Sequence, residues 1–173
     1  MSKQVSEKLI NYRVYRGGTE YLGTADVTLP SLEYLTETVK GAGIAGEVDS
    51  PTIGNFASMS CALNWRTIEP AAVRLAAPQA HAIDFWGSQQ VFNTSSGEYD
   101  SVGVKVSVRA IPKKYDLGKL EPGATTDSAS EFEVIYIKLS HNEKVLLEID
   151  KYNYKCVIDG VDYLAKVRSQ LGY

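Results

Sequence analysis

Two stretches of this chain alternate polarity residue by residue, and they restrict the fold more than anything else in it. From Ala57 to Trp65 one face reads Ala57, Met59, Cys61, Leu63, Trp65, and the other Ser58, Ser60, Ala62, Asn64. From Val102 to Ala110 one face is Val102, Val104, Val106, Val108, Ala110, against Gly103, Lys105, Ser107, Arg109. Successive side chains of a strand point to opposite faces, so a period of two describes antiparallel strands with one face buried and one wet.

Weaker signals extend the strand count. Tyr12 to Arg16 and Tyr21 to Leu29 read as a hairpin around Gly17-Gly18, a pair that takes positive φ without steric cost. Leu32 to Val39, His81 to Phe92, Phe132 to Leu139 and Val145 to Ile158 are further strands, and Phe85-Trp86 puts two large rings on opposite faces. In Val145 to Ile158 the apolar phase flips near Asp150-Lys151, which reads as a bulge or a change of sheet. A short helix fits Ala71 to Ala77, with Thr67 as cap and Pro70 in the first turn. A second follows Asp159-Gly160, with Leu164, Val167 and Leu171 on one face and Gly172 as its stop. Gly41 to Pro51 and Leu117 to Ser130 are the longest unpatterned stretches, too short for domain linkers, and no internal repeat is visible. A length of 173 residues then argues for a single domain, residues 1–173. The fold class is mainly β: an antiparallel β-sandwich or barrel with one or two short helices.

Composition narrows the function. A net charge of −3 argues against a sequence-independent nucleic-acid clamp, which needs a cationic face. Eleven Tyr against four Phe and two Trp suit half-buried pleated surfaces and interfaces with other proteins. The start, Met1 to Lys8, is polar and lacks an apolar signal-peptide core, and no stretch has the ~20 apolar residues of a spanning helix. The expectation is folding in the cytoplasm of the producing cell with no membrane anchor, which leaves the sequon Asn93-Thr94-Ser95 as a loop tripeptide.

No chemical motif survives its context. Gly41-Ala42-Gly43-Ile44-Ala45-Gly46 is a literal GxGxxG after a strand. Pro51 prevents a useful helix from opening behind it, so it reads as a loop packing closely on a neighbour rather than a dinucleotide site. His81 and His141 lack partners at ligand spacing; His81 could pair with Asp84, but a solvated strand-end histidine is the default. Glu148 and Asp150 share a strand face as paired catalytic carboxylates might, although a solvated edge explains them as well. Cys61 falls in an apolar phase and reads as a small core residue. The expectation is no enzyme, no cofactor and no metal. A β-sandwich ligand-binding module is an alternative, with Tyr152, Tyr154 and Trp86 as its aromatic candidates.

Two segments are more specific. One is Val27-Thr28-Leu29-Pro30-Ser31-Leu32 followed by Glu37-Thr38-Val39-Lys40 and the GAGIAG loop. The other is Leu147-Glu148-Ile149-Asp150, then Ile158 to Ala165, Arg168 and Leu171-Gly172. Together with the Tyr12 to Tyr21 hairpin, and in this order along nearly the whole chain, they resemble the major tail tube proteins of contractile-tailed bacteriophages. The resemblance implies a structural subunit that forms hexameric rings stacked into a tube. That tube would lie inside a contractile sheath, be driven into the target envelope and pass a genome. The implied partners are copies of itself, tail sheath, baseplate and tape-measure proteins, with DNA as transient cargo. The implied location is the virion tail. A tail-like bacteriocin, or a related secretion or injection machine delivering protein effectors, would use a similar subunit. Gly41, Ala42, Gly43, Ile44, Ala45 and Gly46 are the candidates for a contact between subunits. Ser58, Ser60 and Asn64, or alternatively Lys105, Ser107 and Arg109, are the candidates for a lumen-facing surface.

Overall fold

The computed structural model describes residues 3–173, with position 25 as backbone only, so part of the polar start lies outside the described residues. In chain order the elements are β1 (Gln4–Arg16), β2 (Glu20–Leu22), β3 (Thr24–Thr28), β4 (Tyr34–Lys40), β5 (Glu47–Phe56), β6 (Ser60–Trp65) and α1 (Pro70–Leu75). Then follow β7 (His81–Asn93), β8 (Glu98–Asp116), β9 (Ser128–His141), β10 (Lys144–Asp150), β11 (Lys155–Ile158), β12 (Val161–Asp162) and α2 (Ala165–Leu171).

One antiparallel sheet holds ten of these strands in the order β12-β11-β10-β9-β8-β7-β1-β2, with β6 also against β9 and β3 against β6. The long strand β9 serves two neighbours on one edge: residues 128–133 pair with β6 and residues 136–141 with β10. Gly23 alone separates β2, at the edge beside β1, from β3, at the edge beside β6. The chain thus carries one edge of the sheet over to the other, and the sheet wraps into a barrel. β4 and β5 form a separate two-stranded hairpin.

The core is what the alternation requires. Met59, Cys61, Leu63 and Trp65 are at most 1% exposed, and Val106, Val108 and Ala110 line the same interior with Phe85, Phe132 and Ile137. Trp65 brings a polar edge inside and satisfies it: its Nε1 donates to Ser130 Oγ at 3.1 Å. In α1, Pro70 opens the first turn and Ala72 and Leu75 turn inward. Gly172 ends α2 in the left-handed conformation (φ +83°), as a C-terminal glycine does.

Several expectations change. Val145 to Ile158 is two strands, not one with a bulge. The Asp150 carboxylate accepts from the Tyr152 and Asn153 amides, both at 3.1 Å, and Tyr154 takes φ +49°, so the phase flip marks a tight turn. Gly41 to Pro51 holds the start of β5, whose register is set against β4 rather than by any alternation of its own. Tyr21 to Leu29 breaks at Gly23, Ala57 to Trp65 becomes a strand only from Ser60, and β8 runs on to Asp116. His81 is buried at the start of β7, not solvated; its Nε2 lies 3.1 Å from the Ala77 carbonyl, which places the proton on that nitrogen.

Candidate assembly surfaces

The β4–β5 hairpin stands off the body with nearly every side chain in water. All seven residues of β4 are exposed, and so are most of β5. Its turn is the GAGIAG segment, which needs glycine for backbone reasons. Gly41, Gly43 and Gly46 have φ of +136°, +89° and +119°, and an added Cβ would meet nothing within 4 Å. Among the described residues, nothing packs closely on these three glycines. The Ile44 amide donates to the Gly41 carbonyl at 3.1 Å, leaving the Ile44 side chain exposed at the tip. Leu35, Val39, Val48 and Ile53 are exposed as well.

The base of the hairpin, by contrast, is held. Tyr34 and Phe56 stack with centroids 4.6 Å apart, and the Ala57 amide donates to Glu33 at 2.8 Å. Gly54, at φ +66°, lies so close to Leu164 that a Cβ would sit 2.5 Å from Cδ2. Leu164 in turn sits where the chain enters α2, where Arg168 reaches back to the Asp162 carboxylate at 2.5 Å and the Tyr154 carbonyl at 2.8 Å. The hydrogen bond from Arg168, against the opposing effect of burial and helped by the Leu164 amide and the Arg168 charge, holds the Asp162 carboxyl below its usual range.

The two polar rows read from the alternation prove to be parts of one surface. Glu133 on β9 is opposite Ser60 on β6 and opposite Ile111 on β8. Ile111 continues the row Lys105, Ser107, Arg109, so both sets share the outer side of the sheet. Side chains stitch the rows together. Ser58 Oγ donates to Glu133 at 2.6 Å, Lys113 Nζ to Ser60 Oγ at 3.4 Å, and Asn64 to the Asp26 carboxylate. The charges on this side are largely answered by neighbours. Lys105 lies 4.0 Å from Asp84 and over the Trp86 ring at 4.3 Å, Lys151 lies 3.7 Å from Glu133, and Arg109 rests over Tyr136.

Glu148 and Asp150 do face the same side, but each is occupied. Glu148 lies 3.0 Å from Lys155 and accepts from Tyr136 at 3.0 Å. Burial alone would raise its pKa; the hydrogen bonds from Lys155 and Tyr136, with the positive charge, bring it below the usual range. Tyr136 is pushed up to about 12, first by burial and then by Glu148. Asp150 holds the turn described above. Cys61 is buried and its thiol pushed up to about 12 by that burial, the opposite of an activated nucleophile. Among the described residues no group of three or more His, Cys, Asp or Glu could hold a metal, and no helix is long and apolar enough to cross a membrane. Strands β8, β9 and β10 separate Trp86 on β7 from Tyr152 and Tyr154 in the β10–β11 turn, so the three rings do not make one binding face.

The sequence did not reveal a gap in the barrel wall. β1 pairs with β2 only at Val14–Arg16, and β3 pairs only with β6, so no ladder joins β3 to the first part of β1. The gap is an apolar groove of about 290 Å³ with Leu9, Tyr12, Val27 and Leu29 at its sides and Phe85, Gly87, Gln89, Val104 and Val106 behind them. Leu29 was legible as the end of a strand, whereas Leu9 lies in the part of β1 before Tyr12 that the sequence did not mark as strand; their exposure, 49% and 50%, follows from which strands fail to meet.

Comparison with known proteins places this architecture. The fold is similar to that of chains solved in complexes of an extracellular contractile injection system (PVC). One is from the sheath-tube complex in the extended state, with a TM-score of 0.51 and 13% identity over 75% of this chain and 88% of that chain. The other is from the sheath/tube terminator in the extended state, with a TM-score of 0.51 and 14% identity over 76% and 94%. In sequence the chain is similar to the tail tube protein of Escherichia phage P2, 32% identical over 175 residues and covering 95% of each. The profile of the phage tail tube protein FII family matches residues 6–172. The chain therefore belongs to the phage tail tube protein FII family and is a tube subunit of a contractile phage tail or a phage-tail-like injection system.

Proposed function

We propose that this chain, as one tail-tube domain, assembles into hexameric rings that stack into the inner tube of a contractile tail. That tube is the conduit pushed into the host envelope when the sheath contracts and then used for genome ejection. The role is structural rather than catalytic. The partners are further copies, the sheath, the baseplate and a tape-measure protein, and DNA crosses only as cargo. The subunit is made in the bacterial cytoplasm and ends in the virion tail.

One observation carries this reading: a hairpin anchored at its base by Tyr34, Phe56 and Gly54 projects apolar side chains that nothing in its own chain covers. Such a device has a use only against another molecule. We assign the Gly41–Gly46 tip, with Ile44, to a contact between subunits. The outer sheet side bearing Ser58, Ser60, Asn64, Lys105, Ser107 and Arg109 is assigned to the lumen. Lys105 lies near Asp84 and Lys151 near Glu133, so part of its positive charge is answered within the subunit, which lowers the counterion release it offers a passing polyanion. Ile44→Asp tests the first assignment and is expected to abolish polymerisation while leaving the fold intact; unchanged tubes would remove the tip from the interface. Single cysteines at Ser107 and Asn64 test the second. In capped tubes they should resist a bulky thiol reagent that labels an outward control, and equal labelling would overturn the lumen assignment.

A further inference from the structure

The hairpin leaves the barrel through a neck whose two chains are held unequally. On the entry side, residues 29–33 belong to no strand. Among the described residues, their backbone bond outside the ladders is the Glu33 carbonyl accepting from Ala57, on the other chain of the neck. The exit side, Ala57 to Met59, is not strand either, although the alternation of β6 runs through it. There side chains stand in for the ladder. The Glu133 carboxylate accepts from Ser58 Oγ at 2.6 Å and from the Met59 amide at 3.3 Å. Lys151 Nζ donates to the Ala57 carbonyl at 2.8 Å and lies 3.7 Å from the same carboxylate. Both holders are themselves fixed. Glu133 sits within β9, opposite Ser60 of β6 and Ile111 of β8, and the Lys151 amide donates to the Ile135 carbonyl at 3.2 Å. Their side chains are 29% and 25% exposed, so the clasp is partly shielded from water.

We propose that Glu133 and Lys151 are positioning residues for assembly: together they fix the angle at which the exit chain leaves the barrel, and so where the hairpin tip is held out to another copy. This rests on the tube reading above and names the residues that aim its contact. A tip on a loose neck must be ordered as each subunit joins, and that cost is subtracted from the contact. A tip aimed in advance avoids it. Gly54 against Leu164 seats β5 beside the start of α2, whereas the clasp holds the three residues between the hairpin and β6. The two side chains suit the task. Glu133 offers two acceptor oxygens to a hydroxyl and an amide, while Lys151 supplies the donor for the Ala57 carbonyl and its charge answers Glu133. Neither belongs to the buried core cluster, so the clasp can be removed without emptying the core.

The test uses the full chain. Lys151→Met keeps the stem and loses the ammonium, Glu133→Ala removes the carboxylate, and Lys151→Arg restores a donor and the charge; circular dichroism confirms that each folds. Spin labels on Ala42→Cys in the tip and Ser96→Cys in the β7–β8 turn report the hairpin's angle in monomers at low concentration, since both positions are exposed and Cys61 and Cys156 are buried. The distance distribution should be narrow in the parent and in Lys151→Arg, and broader or shifted in Lys151→Met and Glu133→Ala. Without labels, those two variants should need about tenfold more protein to form tubes, the factor that losing one charge-assisted hydrogen bond brings, and Lys151→Arg should stay near wild type. A purely stabilising role would lower the urea midpoint and leave the distances in folded monomers unchanged; that result in both variants would overturn the proposal. Broader distances with unaltered assembly would overturn it too. A wild type that never forms tubes would instead sink the tube reading, while the distances would still decide whether the clasp aims the hairpin.

Discussion

Gly54→Ala tests how the projecting hairpin is fixed to the body. At φ +66° an alanine costs about 1–2 kcal/mol in backbone conformation. Its Cβ would also lie 2.5 Å from Leu164 Cγ and Cδ2 and 2.7 Å from Cδ1. Leu164 is only 5% exposed, so it cannot swing into solvent, and the overpacking adds about 1–3 kcal/mol. The single substitution should therefore destabilise by about 2–5 kcal/mol. Leu164→Ala should cost a similar amount, about 2–5 kcal/mol, through the cavity it leaves. In the double variant the new methyl enters that cavity. The clash vanishes, the backbone cost remains, and the two changes fall short of additivity by about 1–3 kcal/mol. Urea unfolding measures the cycle, in an Ile44→Asp background if that keeps the protein monomeric. Additivity within about 0.5 kcal/mol, or a Gly54→Ala variant as stable as wild type, would refute the reasoning that this contact sets the hairpin's base.

Three further outcomes follow from the buried and paired groups. Glu148 titrates lower in the folded than in the unfolded chain, so its contribution is full above the ordinary carboxylate range and is lost as pH falls through the folded value. Glu148→Gln should flatten the acid limb of a stability-against-pH curve, and an unchanged limb would contradict the Lys155–Glu148–Tyr136 link. Cys61 and Cys156, both buried with thiols raised chiefly by that burial, should stay silent to a thiol reagent at pH 8 and react together on unfolding; prompt reaction in the native protein would place a thiol at the surface. Trp65→Phe removes the indole donor to Ser130, which is 3% exposed, and should cost about 1–3 kcal/mol in urea unfolding; a variant within 0.5 kcal/mol of wild type would show that bond to be without net value.

The parts of the fold legible in the sequence are those where one face of a strand is buried. Ala57 to Trp65 and Val102 to Ala110 alternate because the core imposes it: the structure buries Met59, Cys61, Leu63, Trp65, Val106, Val108 and Ala110, while Ala57, Val102 and Val104 at the ends of the rows are half-buried. β5 was hidden because a two-stranded hairpin in water has no core to sort its side chains, so Glu47 to Phe56 shows no period. The turn after Asp150 imitated a bulge, since a turn and a bulge both reverse the phase of an apolar row. Of the candidate surfaces, the GAGIAG tip was visible from its glycines, and the two polar rows from their periodicity. That the rows are one surface depends on β9 pairing with both β6 and β8, a long-range fact that no local pattern carries. The groove beside β1 was invisible for the same reason, as it exists where two distant segments do not pair.

The central claim is that this subunit polymerises into a tube, and negative-stain electron microscopy of the purified protein at rising concentration tests it most directly. The account predicts rings that stack into hollow tubes of uniform width, alone or when sheath and baseplate proteins are added. A protein that stays monomeric at high concentration, and forms neither rings nor tubes beside those partners, would contradict it.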